Sequence, residues 1–106
     1  MLATVSTQKT KTANAGPKLQ RTFVMENIHG LHARPAALLC RLVSHYDSQV
    51  TADCAGEIAN ARSLLGLLGL AVGMQSKVTF TAVGPDAAEV LDAIGELFHS
   101  RFAEAY

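Results

Sequence analysis

Apolar and polar positions alternate most cleanly at Lys77-Val78-Thr79-Phe80-Thr81-Ala82-Val83, the pattern of a strand with one face buried. Gln49 to Ala55 alternates too, with Val50, Ala52 and Cys54 sharing a face. Gly56-Glu57 reads as a hairpin tip, with a short returning strand over Ile58-Ala59-Asn60-Ala61. Arg21-Thr22-Phe23-Val24-Met25 is a β-branched and aromatic run and predicts a further strand. Elsewhere the period lengthens. Ala36, Leu39, Val43 and Tyr46 recur at helical spacing, which predicts a helix opened by Pro35 and ending near Tyr46. Val90, Leu91, Ile94, Leu97 and Phe98 give a second apolar stripe, within a helix expected over Ala87 to Phe102 after the turn Gly84-Pro85-Asp86. Between them, Ser63 is placed to cap a short helix over 64–70 that is apolar nearly all round. Its two glycines argue against a long one. The order is βαββαβα. It predicts an α+β open-faced sandwich: a four-stranded antiparallel sheet covered on one face by three helices.

Length and charge refine this picture. The chain has 106 residues, enough for one domain with a modest core. Its formal net charge is zero but unevenly spread. Lys9, Lys11, Lys18 and Arg21 precede the first carboxylate, Glu26. Residues 1–19 are polar and are expected to be a disordered extension, with the folded domain over 20–106. Four cations without an interleaved aromatic do not make a nucleic-acid site, and none is expected. No signal peptide or membrane-spanning run is visible, so a cytoplasmic protein without membrane insertion is expected. Cys40 and Cys54 match no metal-binding spacing and are expected to be buried, reduced thiols. Neither cofactor nor metal is called for.

The candidate chemistry lies in Gly30-Leu31-His32-Ala33-Arg34-Pro35-Ala36. His32 stands at a helix start, where backbone N–H groups lack intrahelical partners and attract anions. An imidazole nucleophile there can take up a phosphoryl group. Arg34 adds a permanent cation whose planar fork fits phosphate oxygens. Gly30 lets the chain turn sharply into the helix. His29, three residues earlier, is a rival acceptor, but only His32 is in register with Arg34 and the helix start. His45 and His99 are read as surface residues.

These motifs resemble the histidine-containing phosphocarrier HPr family of the phosphoenolpyruvate:sugar phosphotransferase system. Asn60-Ala61-Arg62-Ser63-Leu64-Leu65-Gly66-Leu67-Leu68 is similar to the family's second motif, at the family's separation from His32. The resemblance spans about residues 20–103. It implies that His32 accepts a phosphoryl group on Nδ1 and that Arg34 orients it. It implies that Ser63 is a regulatory phosphorylation site and that Leu64, Leu65 and Leu68 form an apolar docking patch. The implied partners are Enzyme I as donor and Enzyme IIA subunits as acceptors, with a serine kinase/phosphorylase for Ser63. A monomeric carrier rather than an enzyme is expected. The alternative is a regulatory or nitrogen-branch relative acting through its phosphorylation state. Two departures stand out: His29, where the family has a small polar or aliphatic residue, and Ala71, where many members have glycine.

Overall fold

A computed structural model describes residues 17–104. The element order is β1 (Lys18–Val24), α1 (Ala33–Val43), β2 (Gln49–Cys54), β3 (Glu57–Asn60), α2 (Leu64–Gly69), β4 (Lys77–Val83) and α3 (Ala87–His99), then a 3-10 turn at Arg101–Ala103. All strand pairs are antiparallel, in the order β1-β4-β2-β3. The α+β open-faced sandwich is borne out. Phe80 lies opposite Arg21 of β1 and Ala52 of β2. Val50, Ala52, Val78, Phe80 and Ala82 make the covered face, against Leu39, Val43, Leu67, Val90, Leu91 and Ile94 from the helices. The other face is polar: Gln20 donates to Thr81 at 2.9 Å, and the hydroxyls of Thr22 and Thr79 pair at 2.8 Å. Among the described residues no helix is long and apolar enough to cross a membrane.

The boundaries moved where tertiary contacts outweigh local signals. β1 starts at Lys18, ahead of the run expected from Arg21, because Lys18, Leu19 and Gln20 pair in register with Val83, Ala82 and Thr81. Lys18 and Leu19 therefore lie in the sheet rather than in the extension expected over 1–19; residues 1–16 lie outside the described residues. α1 begins two residues before Pro35, which occupies the first turn, where a missing N–H costs nothing. Ala55 and Gly56, at φ 54° and 88°, make the tight turn between β2 and β3.

α3 ends at His99, not Phe102. Arg101, Phe102 and Ala103 all take left-handed backbone angles, near φ 54–60°. Such residues cost about 1 kcal/mol each. Burial of Phe102, only 1% exposed, offsets this. Its ring meets Phe98 edge-on at 4.9 Å, and Phe98 in turn contacts Phe23 and Phe80. The chain after α3 is thereby swung across the start of α1. Ala71 also takes a left-handed conformation, at φ 54°, which is the geometry that favours glycine there.

Candidate functional site

The turn before α1 is built on Gly30. Its φ is +63°, and a Cβ there would lie 2.1 Å from the carbonyl oxygen of Val72. No side chain fits. The Gly30 N–H donates to Asn27 O at 3.0 Å and that of Leu31 to Val72 O at 2.9 Å, so the loop is pinned on both sides of the glycine. This delivers His32 to the N-cap of α1, with extended backbone (φ −85°, ψ −169°). Its carbonyl accepts from Ala36 N at 2.9 Å, while its side chain makes no capping bond. The N–H groups of Ala33 and Arg34 begin the helix without intrahelical acceptors, and no acidic residue stands in the first turn. The positive end of α1 is left open to an anion beside an imidazole.

The His32 side chain is 34% exposed, and its Nε2 is shielded. That atom lies 3.4 Å from Oε2 of Glu104, whose side chain is only 4% exposed; the contact is electrostatic, without a formed hydrogen bond. Arg34 Nη1 is 3.7 Å from the same oxygen, on a side chain 71% exposed. Glu104 is held in place from behind. The buried Asn27 amide donates to Glu104 Oε1 at 2.8 Å and to the Arg101 carbonyl at 2.7 Å. The His29 ring meets that of His32 edge-on, with centroids 5.8 Å apart.

Glu104 and Asn27 were not legible as site residues. Glu104 is brought to His32 by three consecutive left-handed residues, and no periodic pattern announces such a reversal. The sequence did show an Asn just before the glycine turn, which in hindsight is the anchor.

The second motif forms a separate feature. Ser63 caps α2, its Oγ accepting from Gly66 N at 2.9 Å. Leu65 is 82% and Leu64 39% exposed. Leu68 differs from its two neighbours: it is half-buried against the core, beside buried Leu67. Arg62 is taken up structurally. Its guanidinium donates to the carbonyls of Tyr46 and Ser48, while its own carbonyl accepts from the Cys40 thiol at 3.0 Å. Cys40 is accordingly half-buried rather than buried, Cys54 is buried, and both are free. Among the described residues no group of three or more His, Cys, Asp or Glu could hold a metal ion.

An open-faced sandwich with an imidazole at an open helix start defines a class, and comparison with known proteins names it. The family model described as "PTS HPr component phosphorylation site" matches residues 19–100. The chain is 41% identical to the phosphocarrier protein HPr of Cupriavidus necator, with 81% of this chain and 97% of that protein covered. It is 42% identical to the phosphocarrier protein NPr of Shewanella violacea, with 83% and 97% covered. Against the crystal structure of HPr-C-His from Thermoanaerobacter tengcongensis the TM-score is 0.80 at 34% identity, covering 83% of this chain and 99% of that one. The chain spans only 24% of the length of the multiphosphoryl transfer protein of Salmonella typhimurium, to which it is 38% identical. The chain belongs to the HPr family of phosphotransferase-system phosphocarriers.

Proposed function

We propose that this chain relays a phosphoryl group on Nδ1 of His32, from phosphorylated Enzyme I to Enzyme IIA subunits, as a monomer in the cytoplasm. The carrying observation is the position of Glu104. Its carboxylate sits 3.4 Å from the shielded Nε2 of His32. A phosphoryl dianion on Nε2 would be forced against that carboxylate. A proton on Nε2 is instead favoured there, which leaves the lone pair on Nδ1. The chemistry then balances. The Nδ1 lone pair attacks phosphorus, the N–P bond forms as the bond to the donor breaks, and the Nε2 proton stays beside Glu104. The N–H groups of Ala33 and Arg34 and the Arg34 guanidinium are available to the phosphoryl oxygens. Reversal of the same step delivers the group onward. Leu64, Leu65 and Leu68 are proposed as the docking patch and Ser63 as the regulatory site, with a serine kinase/phosphorylase as its enzyme.

Incubation with Enzyme I and phosphoenolpyruvate is expected to place one acid-labile, base-stable phosphate on each chain. His32→Ala should abolish it, and His29→Ala should still be labelled at completion. Full labelling of His32→Ala would transfer the acceptor role to His29. The 42% identity to a protein called NPr favours one second reading, a nitrogen-branch carrier with the same chemistry at His32 and different acceptors. Transfer onward to a sugar-specific Enzyme IIA, or its failure, separates the two.

A further inference from the structure

We propose that Asn27 is a positioning residue of the phosphoryl site, whose buried amide turns the Glu104 carboxylate toward Nε2 of His32 and through it leaves Nδ1 bare. This rests on His32 being the acceptor. Asn27 is 1% exposed and grips the site from two sides. Its carbonyl accepts from Gly30 N at 3.0 Å and so fixes the turn that delivers His32. Its side-chain nitrogen donates to Glu104 Oε1 at 2.8 Å and to the Arg101 carbonyl at 2.7 Å. Both partners are acceptors, so the nitrogen of the amide, and not its oxygen, must face them. The Arg101 carbonyl also accepts from Glu104 N at 3.0 Å. One amide therefore holds both the turn after α3 and the side chain which that turn presents.

Backbone packing alone does not orient a carboxylate. Burial of Phe102 fixes the chain after α3, but Arg101, Phe102 and Ala103 take left-handed angles that local preference does not supply. With Oε1 held by Asn27, Oε2 is turned toward His32 Nε2, 3.4 Å away, and Arg34 Nη1, 3.7 Å away. A carboxylate facing Nε2 favours the tautomer protonated there, and the lone pair then stands on Nδ1. Asn27 thus acts one step behind the reacting imidazole, through Glu104 and without touching the ring. Loss of an orienting partner at such a remove typically costs tenfold or more in function. The residue type matters too. An aspartate of the same size would accept rather than donate, and would set two carboxylates against each other.

The test reads the His32 ring in the full, unphosphorylated chain by 15N-histidine NMR at about pH 8, where a neutral imidazole reports its tautomer. Transfer rates from Enzyme I and melting temperatures are measured on the same proteins. Asn27→Ala, Glu104→Ala and the double variant are compared with the wild type, with Asp86→Asn as a remote, destabilised control. The wild type and Asp86→Asn are expected to hold the proton on Nε2. Asn27→Ala and Glu104→Ala should both move toward a mixture of tautomers and slow transfer by about tenfold. The double variant should be no worse than Glu104→Ala, because residues that act as one unit are not additive. Asn27→Ser, too short to reach Oε1, takes the place of Asn27→Ala should that variant not fold. A folded Asn27 variant with the wild-type tautomer and transfer rate, and only a lower melting temperature, would reduce Asn27 to a loop anchor while leaving His32 as acceptor. A wild type that takes no phosphate on His32 would overturn the phosphocarrier reading itself.

Discussion

At the scale of single residues, the site is a set of constraints converging on one imidazole. Gly30 sets the turn, His32 occupies the N-cap position of α1, and the Glu104 carboxylate lies 3.4 Å from its shielded Nε2. Arg34 is the residue whose contribution separates charge from shape. It is mostly exposed and pairs loosely with Glu104, an arrangement that adds little to stability. Arg34→Lys keeps the charge but loses the planar fork. Transfer from Enzyme I is expected to slow by roughly tenfold, about one good charge-assisted hydrogen bond, with the melting temperature unchanged. Wild-type transfer kinetics in that variant would reduce Arg34 to a surface ion pair. The placement of His32, Arg34 and Gly30 at the start of α1 was legible from residue type and from a spacing of two. Glu104 was not, since its role depends on a chain reversal that only Phe102 burial explains.

At the scale of elements, α2 shows how a short helix can be both anchored and displayed. Leu67 and Leu70 fasten it to the core, Ser63 satisfies Gly66 N, and Leu65 stands out in solvent. A negative charge at Ser63 meets the positive end of the helix and is tolerated by the fold. If Leu64 and Leu65 form the proposed docking patch, the cost falls on a partner that must bury that charge beside them. Ser63→Asp is expected to keep or slightly raise the melting temperature and to weaken transfer from Enzyme I. Leu65→Lys should weaken transfer too, with stability changed by no more than about 0.5 kcal/mol. If both variants transfer at the wild-type rate, the docking surface lies elsewhere. The strands and helices themselves were largely legible from period alone. The exception among the leucines is Leu68: on a helix apolar nearly all round, periodicity does not say which side faces the core, and tertiary packing against the core decides it.

At the scale of the whole molecule, the helical layer is tied back to the sheet through Asp86. Its carboxylate accepts from Ser48 Oγ at 2.6 Å, from Ser48 N at 2.9 Å and from Asp47 N at 2.9 Å, joining the start of α3 to the entrance of β2. The Ser48 hydroxyl first, and then the Asp47 amide, hold its pKa below the ordinary value of 3.8. A carboxyl lowered in the folded state contributes stability that is fully present above its unfolded value and is lost as pH falls through the folded one. Asp86→Asn is therefore expected to lower the melting temperature at neutral pH, and the gap from wild type should narrow in acid, below the ordinary carboxylate range. Parallel melting-temperature curves down to acid would remove Asp86 from that role. This tie joins residues 38 positions apart, and nothing local in either segment marks it. The central claim remains the atom that carries the phosphoryl group, and ring-labelled 15N-histidine NMR of the phosphorylated chain reads it directly. Coupling of phosphorus to Nδ1 of His32, with the proton retained on Nε2 beside Glu104, is the expected result. Phosphorus found on Nε2 of His32, or on His29, would contradict it.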